Sequence, residues 1–576
     1  MKILGIHDGH TATACLLDNG EITSMASEER FTNIKNKGGF PKNAVNWILK
    51  YNHLDAKDID HVVMPGLIEP IVDISAYLTG RHKTFTNALR ILPSSILSSP
   101  LIRDTYLNQK KKNREKLEKY KSIFNEMELK RNEVNFIEHH KCHAATAYYL
   151  NWNFSPEKKV LIFTLDGSGD GVSATVHIGH NHEMETLKTI SSYNSLGMLY
   201  SRMTQFLGMK PLEHEYKLMG MAPYAPDFLV KKSYDVLKNY IQLDQSGLSF
   251  INTSGTWGNE TIKRFQKDFV KHRFDGICGA LQLLTEELAL SWIKNWVEET
   301  GINDIVVAGG VFMNVKLNML INEDPAINSA FFMPSCGDES IALGASLYHY
   351  VKECKNNKLP MDIHPLNSLY LGPEYTNDEI LEELNNTDGL NYKYHEDINS
   401  KVVELLLDRK NVARFNGRME FGARSLGNRS ILARPDDWEC VRKINKAIKM
   451  RDFWMPFAPS ILDTSVNKYL ITNGSVKAPY MILGYNTTMD AQDEIIAGLH
   501  QSDQTCRPQI IEKDWNPSYY DLLKQFEAES GLSGLLNTSF NIHGYPIANS
   551  PKDAIWTLIN SELDALQMGS YLVTRK

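Results

Sequence analysis

The chain has little of what marks a nucleic-acid-binding, secreted or membrane protein. Lys and Arg number 62 against 69 Asp and Glu, so there is no basic excess and the net charge is −7. A surface built to neutralise phosphates needs a strong cationic bias, so general nucleic-acid binding is not expected. There are seven cysteines in 576 residues, scattered, with no CxxC pair. That argues against a disulfide framework and for a reducing, cytoplasmic compartment. The start, MKILGIHDGH, has no long apolar core, so a secretory leader is not expected. No run approaches the roughly 18 uninterrupted apolar residues of a membrane span. Short-period repeats are absent as well.

What is present is the composition of an ordinary globular protein, 42% hydrophobic and 23% charged. The length calls for two or three domains, each able to bury a core. MKILGI reads as a strand, and TATACLLDNGEITSMA as a hairpin turning at Asp18-Asn19-Gly20. KNAVNWILKYN is an amphipathic helix, and HVVMPG and NEVNFIEHH hold further strands. Residues 70–130 read as helical, and their basic QKKKNREKLEKYK run as a solvated helix face. The strand-glycine-strand units at 3–27 and 160–178 suggest a duplicated half-domain. The polar, turn-rich stretch 361–395 is expected to link a first domain, 1–360, to a second, 396–576.

His139 and His143 stand four apart in EHHKCHAATAYYL, a spacing that places both imidazoles on one face of a helix. His140 is the competitor for His139, and the i, i+4 spacing favours His139. Asp166 ends an apolar run in FTLDGSGDGVSATV, and Asp338 lies in the turn before the helix of CGDESIALGASL. Two histidines with one or two carboxylates suit Zn or non-haem Fe(II) and leave positions open for substrate.

Glycine turns recur in IHDGHTATACLL, TLDGSGDGVSATV and VAGGVFMN. Such loops bring backbone N–H groups close to phosphate oxygens, and the last of them opens a helix. Residues 414–434 interleave Arg414, Arg418, Arg424, Arg429 and Arg434 with Gly417, Gly422 and Gly427. Arginine forks grip oxyanions and glycines let a loop wrap them. Arg451 and Arg507 add charge, and Asn537, Thr538 and Ser539 add neutral donors. A small-anion pocket is expected there.

The segments IHDGHTATACLL, SEERFTNIKNKGGFP, EHHKCHAATAYY, DGSGDG, EYKLMGMAPY, AGGVFMN and CGDESIALGASL resemble the O-carbamoyltransferase family of NodU-type and TobZ-type enzymes. NGRMEFGARSLGNRSILA, MRDFWMPFAPS, CRPQ and LNTSFNIHGYPIANSP carry the resemblance into the second domain, so it spans nearly the whole chain. It implies an α/β protein: an actin-like ATPase fold, similar to threonylcarbamoyl-adenosine transferases, followed by an α/β YrdC-like domain. It also implies Fe(II), with Zn or Mn as alternatives, bound by His139, His143, Asp166 and Asp338. ATP, with Mg, would lie against Gly167, Lys217, Gly309, Gly310 and Asn314. Carbamoyl phosphate would meet Arg418, Arg424, Arg429, Arg451, Arg507, Asn537 and Ser539. His10, with His7 as rival, would serve the transfer step, and Lys35, with Lys37 as rival, would reach the anionic ligand.

In some members a second basic residue is expected where this chain has Trp454 and Met455. The implied reaction makes carbamoyl-adenylate from carbamoyl phosphate and ATP and passes the carbamoyl group to a small-molecule hydroxyl. A threonylcarbamoyl-adenosine synthase acting on tRNA would share both domain types, but the acidic charge disfavours it. A small-molecule kinase of the actin-like fold would explain neither the arginines nor the histidine pair.

Overall fold

The structure is a computed structural model that describes residues 1–72, 111, 114, 117–130, 133–472 and 476–576. Most of the helical stretch expected at 70–130, including part of its basic run, lies outside the described residues. The chain divides into two compact units. The first is Met1–Glu28 with Asn36–Leu366, and the second is Glu29–Lys35 with Asn367–Lys576.

The first unit is built on two five-stranded sheets. One contains β1 (Lys2–His7), β2 (Thr13–Asp18), β3 (Glu21–Ser27), β4 (His61–Pro65) and β5 (Val134–Ile137), in the order β3-β2-β1-β4-β5. The β2–β3 turn is the Asn-Gly turn read from the sequence: Asn19 and Gly20 have φ of 50° and 94°. The other contains β6 (Val160–Gly169), β7 (Val172–His180), β8 (Glu183–Ser191), β11 (Asp304–Ala308) and β12 (Ser329–Phe332), in the order β12-β11-β6-β7-β8. A separate hairpin pairs β9 (Ile241–Leu243) with β10 (Phe250–Asn252). In each five-stranded sheet, three successive strands run antiparallel and two later strands add in parallel beside the first. That repeated order is the duplicated plan of the actin-like fold.

A helix follows the last strand of each sheet: His139–Tyr149 after β5, and Ile341–Asn357 after β12. Every residue of the first except Lys141 is buried, so this helix belongs to the core on all sides. The two helices pack at Gly344. A Cβ there would stand 2.0 Å from the Cys142 carbonyl oxygen, so glycine is what permits the approach. All seven cysteines are buried free thiols.

The second unit carries one mixed eight-stranded sheet, ordered β13-β20-β19-β14-β15-β18-β16-β17. Its strands are β13 (Leu390–Tyr394), β14 (Val412–Phe415), β15 (Arg429–Ala433), β16 (Ala458–Leu462), β17 (Gln509–Ile511), β18 (Gly534–Ser539), β19 (Ala565–Met568) and β20 (Tyr571–Arg575). Much of the stretch 361–395 read as a linker is therefore regular structure. Thr376 and Glu379 form a capping box for the helix Asn377–Asn385, which buries Ile380 and Leu384, and β13 pairs with β20. The density of turn residues hid that short amphipathic pattern. Among the described residues, no helix is long and apolar enough to cross a membrane.

At the end of β1, Asp8 is fully buried and accepts two hydrogen bonds from Arg114, at 2.6 and 2.7 Å. Burial alone would raise the Asp8 pKa, but the guanidinium overrides it and holds the carboxyl at about 2. A depressed carboxylate stabilises the fold above its unfolded value near 3.8 and loses that contribution as pH falls toward 2. Asp8→Asn strands a buried cation, with an expected cost of about 3–5 kcal/mol at neutral pH. Urea unfolding measures it. The difference between wild type and variant should shrink as pH drops from 5 toward 2, and a difference constant across that range would refute the account.

Candidate functional site

The first unit gathers four ligand-type side chains from elements far apart in sequence. His139 and His143 project from one face of the helix His139–Tyr149, as the spacing predicts. Asp166 lies at the bend of β6, and Asp338 opens the turn before the helix Ile341–Asn357. One donor atom from each lies within 4.8 Å of all the others. His139 Nε2 stands 3.1 Å from His143 Nε2, 3.5 Å from Asp166 Oδ2 and 3.4 Å from Asp338 Oδ1. His143 Nε2 is 3.3 Å from Asp338 Oδ1.

The surroundings hold these groups in place. Glu138 accepts from the His140 and Lys141 backbone N–H groups and caps the helix. Asp170 accepts from the backbone N–H of His139, Leu67 and Ile68, tying three segments together. Gly169 lies under the His139 ring, and a Cβ there would sit 2.1 Å from it. Gly310 N donates to Asp166 Oδ1 at 3.0 Å. His140 points elsewhere: its ring nitrogens bond Thr164 Oγ1 at 2.7 Å and Val172 O at 3.1 Å. Of the two, His139 is the one whose ring joins the cluster.

Electrostatically the cluster asks for a cation. Burial opposes charge on His139, yet Asp338 and Asp166 raise its pKa well above the usual histidine value. Burial also opposes ionised carboxylates, yet the histidines bring Asp166 down to about 2 and Asp338 well below its ordinary range. Two carboxylates and two imidazoles converging on one point fit a divalent metal.

His10 Nδ1 lies 3.8 Å from Asp338 Oδ2, at the edge of the cluster and partly exposed. His7 is fully buried with no hydrogen-bond partner on either ring nitrogen, and burial lowers its pKa to about 4. Of the two rivals, His10 is the one open to solvent beside the ligands. The half-buried Glu215, in the helix Glu215–Met221 that also carries Lys217, lies within electrostatic reach of His10. Gly309, at φ 106°, lets the turn after β11 pass against Leu165. Asn314 caps the helix Val315–Glu323 and exchanges hydrogen bonds with Gln282 at 2.9 and 3.0 Å. These glycines thus do steric work around Asp166 as well as offering backbone N–H groups. Gly167 lies on the same bend, its carbonyl 2.7 Å from Ser195 Oγ.

The second unit sorts its arginines into two kinds. Arg429 donates to the carbonyls of Asn416, Gly417, Asn428 and Pro373 and stacks 3.7 Å over Phe415. Arg414 donates to Gly427 O, Asn428 Oδ1 and Ser518 Oγ. Burial lowers both to about 10. Arg418 donates to Leu371 O and Gly372 O. These three stitch the glycine-rich loop together.

Arg424, Arg451 and Arg507 form the other kind. Burial pushes the Arg507 pKa well below its usual value, and the charges acting on it, Arg424 and Arg451, are positive too. Lys449 behaves the same way, lowered first by burial and then by Arg451 and Lys35. Its ammonium is held by Ser539 and Asn541, and Arg451 donates to Thr538 Oγ1 at 3.0 Å. Asn537 lies deeper, bonded to Ser460 and Gln509. Lys449 is the residue that sequence reasoning missed. A second basic group was sought at Trp454–Met455, after Arg451. It precedes Arg451, at the end of the π-helical turn Asn445–Lys449, and the Lys-Met-Arg order was its only signal. Such turns are frequent at functional sites.

Comparison with known proteins covers both units. The family model described as "Carbamoyltransferase N-terminus" matches residues 2–347, and that described as "Carbamoyltransferase C-terminus" matches residues 403–575. An uncharacterized protein of Methanocaldococcus jannaschii is 32% identical over 100% of this chain and 99% of its own. Nodulation protein NolNO of Sinorhizobium fredii is 29% identical over 99% of this chain and 79% of its own. Nodulation protein NolO of Bradyrhizobium diazoefficiens is 31% identical over 76% of this chain and 79% of its own. Among solved structures, component A of Acidaminococcus fermentans (R)-2-hydroxyglutaryl-CoA dehydratase overlays 61% of this chain and 98% of its own. Its TM-score of 0.32 and identity of 16% are too slight to bear on the fold, which rests on the strand order.

Removing one imidazole should empty the cluster. His143→Ala is expected to lose most bound metal while remaining folded, read by elemental analysis of purified wild type and variant. Gly344→Ala should weaken metal retention as well, by forcing apart the two helices that carry the ligands, at a stability cost of about 1–3 kcal/mol. Equal metal in wild type and His143→Ala would sink the ligand assignment.

Proposed function

The chain belongs to the carbamoyltransferase family, and on that premise we propose that it is an ATP-dependent O-carbamoyltransferase with one chemical step in each unit. The observation that carries this reading is the convergence of Lys35, Arg424, Lys449, Arg451 and Arg507 in the second unit. Their effects on one another are repulsive, and a polyanion relieves that repulsion. Carbamoyl phosphate and the ATP triphosphate are such polyanions.

Water releases inorganic phosphate from carbamoyl phosphate and leaves carbamate. A carbamate oxygen attacks the α-phosphorus of ATP, and the bond to the β-phosphate breaks. The products are carbamoyl-adenylate and pyrophosphate. Arg451, Arg507 and Lys449 would offset the charge on the oxygens around phosphorus, and Thr538 and Ser539 hold two of these cations in place.

In the second step an acceptor hydroxyl oxygen attacks the carbamoyl carbon, AMP leaves, and the hydroxyl proton passes to His10. Gly310 N and the bend at Asp166–Gly167 orient the groups around the first-unit cluster. A divalent ion, Fe(II) or alternatively Zn or Mn, held by His139, His143, Asp166 and Asp338 would supply Lewis-acid polarisation of a phosphoryl or carbonyl oxygen. The adenylate, once formed, must be kept from water until the hydroxyl attacks, since it hydrolyses readily. The acceptor is a small-molecule alcohol. A net charge of −7 offers tRNA no attractive surface on average.

Lys449→Met should lower carbamoyl-phosphate-dependent pyrophosphate release from ATP by roughly 100-fold, the scale of losing a preorganised charge. His10→Ala should still release pyrophosphate yet transfer no carbamoyl group to an alcohol acceptor, followed by mass spectrometry. Equal loss of both activities in His10→Ala contradicts the division into two steps. Bulk tRNA added as competitor should leave transfer unchanged at moderate salt, and labelled tRNA as product would overturn the small-molecule reading.

A further inference from the structure

A chain of hydrogen-bonded side chains runs from the helix of the metal-type cluster across the second sheet. His140 follows His139 on the helix His139–Tyr149. Its Nδ1 lies 2.7 Å from Thr164 Oγ1 on β6. Thr164 Oγ1 lies 2.6 Å from the hydroxyl of Thr175, its cross-strand partner on β7. Thr175 Oγ1 lies 2.8 Å from Nε2 of His177, two residues along β7. His177 Nδ1 lies 3.0 Å from the hydroxyl of Thr186, its partner on β8. His140, Thr164, Thr175 and His177 are buried, and Thr186 is exposed.

One carbonyl fixes the direction of the whole chain. The other His140 nitrogen, Nε2, lies 3.1 Å from Val172 O, and a carbonyl oxygen only accepts. His140 Nε2 therefore carries the hydrogen. Burial lowers the His140 pKa and brings that of His177 down to about 4, so both rings are neutral, each with one donor and one acceptor. His140 Nδ1 then accepts from the Thr164 hydroxyl, and Thr164 from the Thr175 hydroxyl. Thr175 accepts from His177 Nε2, and His177 Nδ1 from the Thr186 hydroxyl. Neither His140 nitrogen keeps a lone pair for an ion, so this ring does not compete with His139 and His143.

The chain grips the sheet where the sheet is irregular. β6 and β7 pair in register from Val160 to Leu165, then shift before Gly169 pairs with Val172. Asp166, Gly167 and Ser168 have no partner in either ladder of β6, so strand pairing does not fix them. Thr164 lies just before this bulge on β6 and Val172 just after it on β7, and His140 bonds both. One imidazole thus spans the bulge that carries Asp166 and ties it to the helix that carries the histidine pair.

Resting on the metal-site reading above, we propose that His140 and Thr164 are positioning residues for the metal. They hold the bulge of Asp166 against the helix of His139 and His143, and so set the coordination geometry without touching the ion. The hydroxyls and ring beyond Thr164 keep its hydrogen aimed at His140.

Co(II) added to the metal-stripped full-length protein reports on this, because its visible absorption bands follow the number and arrangement of its ligands. Thr164→Val, which keeps the branched shape and removes the hydroxyl, should weaken Co(II) binding by ~10-fold or more. It should also change the shape of the Co(II) bands. Thr164→Ser, which returns the hydroxyl, should restore most of both. Thermal unfolding of the metal-free variants measures the purely structural share of the hydrogen bond, which alters neither the affinity of the folded fraction nor its spectrum. Should Thr164→Val fail to fold, Thr175→Val, which removes the donor to Thr164, is read in the same way. Affinity and bands equal to wild type in the valine variant overturn the positioning role alone. No Co(II) binding by wild type, or binding unchanged in His143→Ala, overturns the metal-site reading and this proposal with it.

Discussion

The first unit depends on the approach of two buried helices at a single glycine. Gly344 lets the helix Ile341–Asn357 come against the Cys142 carbonyl of the helix His139–Tyr149. His139 and His143 ride on one helix, and Asp338 sits in the turn that opens the other. Interiors are close-packed and do not stretch, so the spacing between those helices is the spacing between the ligands. Asp166 joins from β6, where the Gly310 N–H aims one of its oxygens. The unshared space over Gly169 is filled by the His139 ring. Remove any of these close approaches and four side chains from three segments no longer share a point.

Much of this could be read from the residues alone, because the relevant periodicities are local. The i, i+4 spacing of His139 and His143 is a property of any helix, and the Asn19-Gly20 turn is a property of the two residues. What could not be read were facts that depend on neighbours distant in sequence. Nothing in the string says that His140 bonds Thr164, or that Asp170 ties down three segments. Nor does it tell a glycine that admits a phosphate from one that admits a histidine ring, as at Gly169. The helix and strand within 361–395 are hard to read for a different reason. Its helix is nine residues long and its strand is an edge strand, mostly exposed. Such elements carry too few apolar positions to stand out from turns.

The arginines of the second unit teach the same lesson through energetics. By composition, five arginines among three glycines look alike. In the fold, Arg414, Arg418 and Arg429 spend their donors on carbonyls and neutral side chains and act as internal braces. Burying such a group is expensive unless its N–H groups are paired; here the terminal nitrogens of Arg414 and Arg429 are paired, while the Nε of each has no hydrogen-bond partner. Arg424, Arg451 and Arg507, with Lys449, crowd together against their mutual repulsion. Charge held at a cost in one place, with like charge as the neighbour, is the mark of a site shaped for a ligand rather than for stability.

The duplicated sheet order has a consequence for how the chain matures. The histidine pair follows the last strand of the first sheet, while Asp166 and Asp338 belong to the segments around the second. Neither repeat owns a complete ligand set. An ion captured there would favour only the docked pair of repeats, adding about 2.7 kcal/mol when its free concentration is a hundredfold above its dissociation constant. It would add nothing to either repeat alone. Metal loading would then act as a late quality-control step in biogenesis: a chain whose repeats have closed correctly is retained, and one whose repeats have not closed gains no such support against proteolysis.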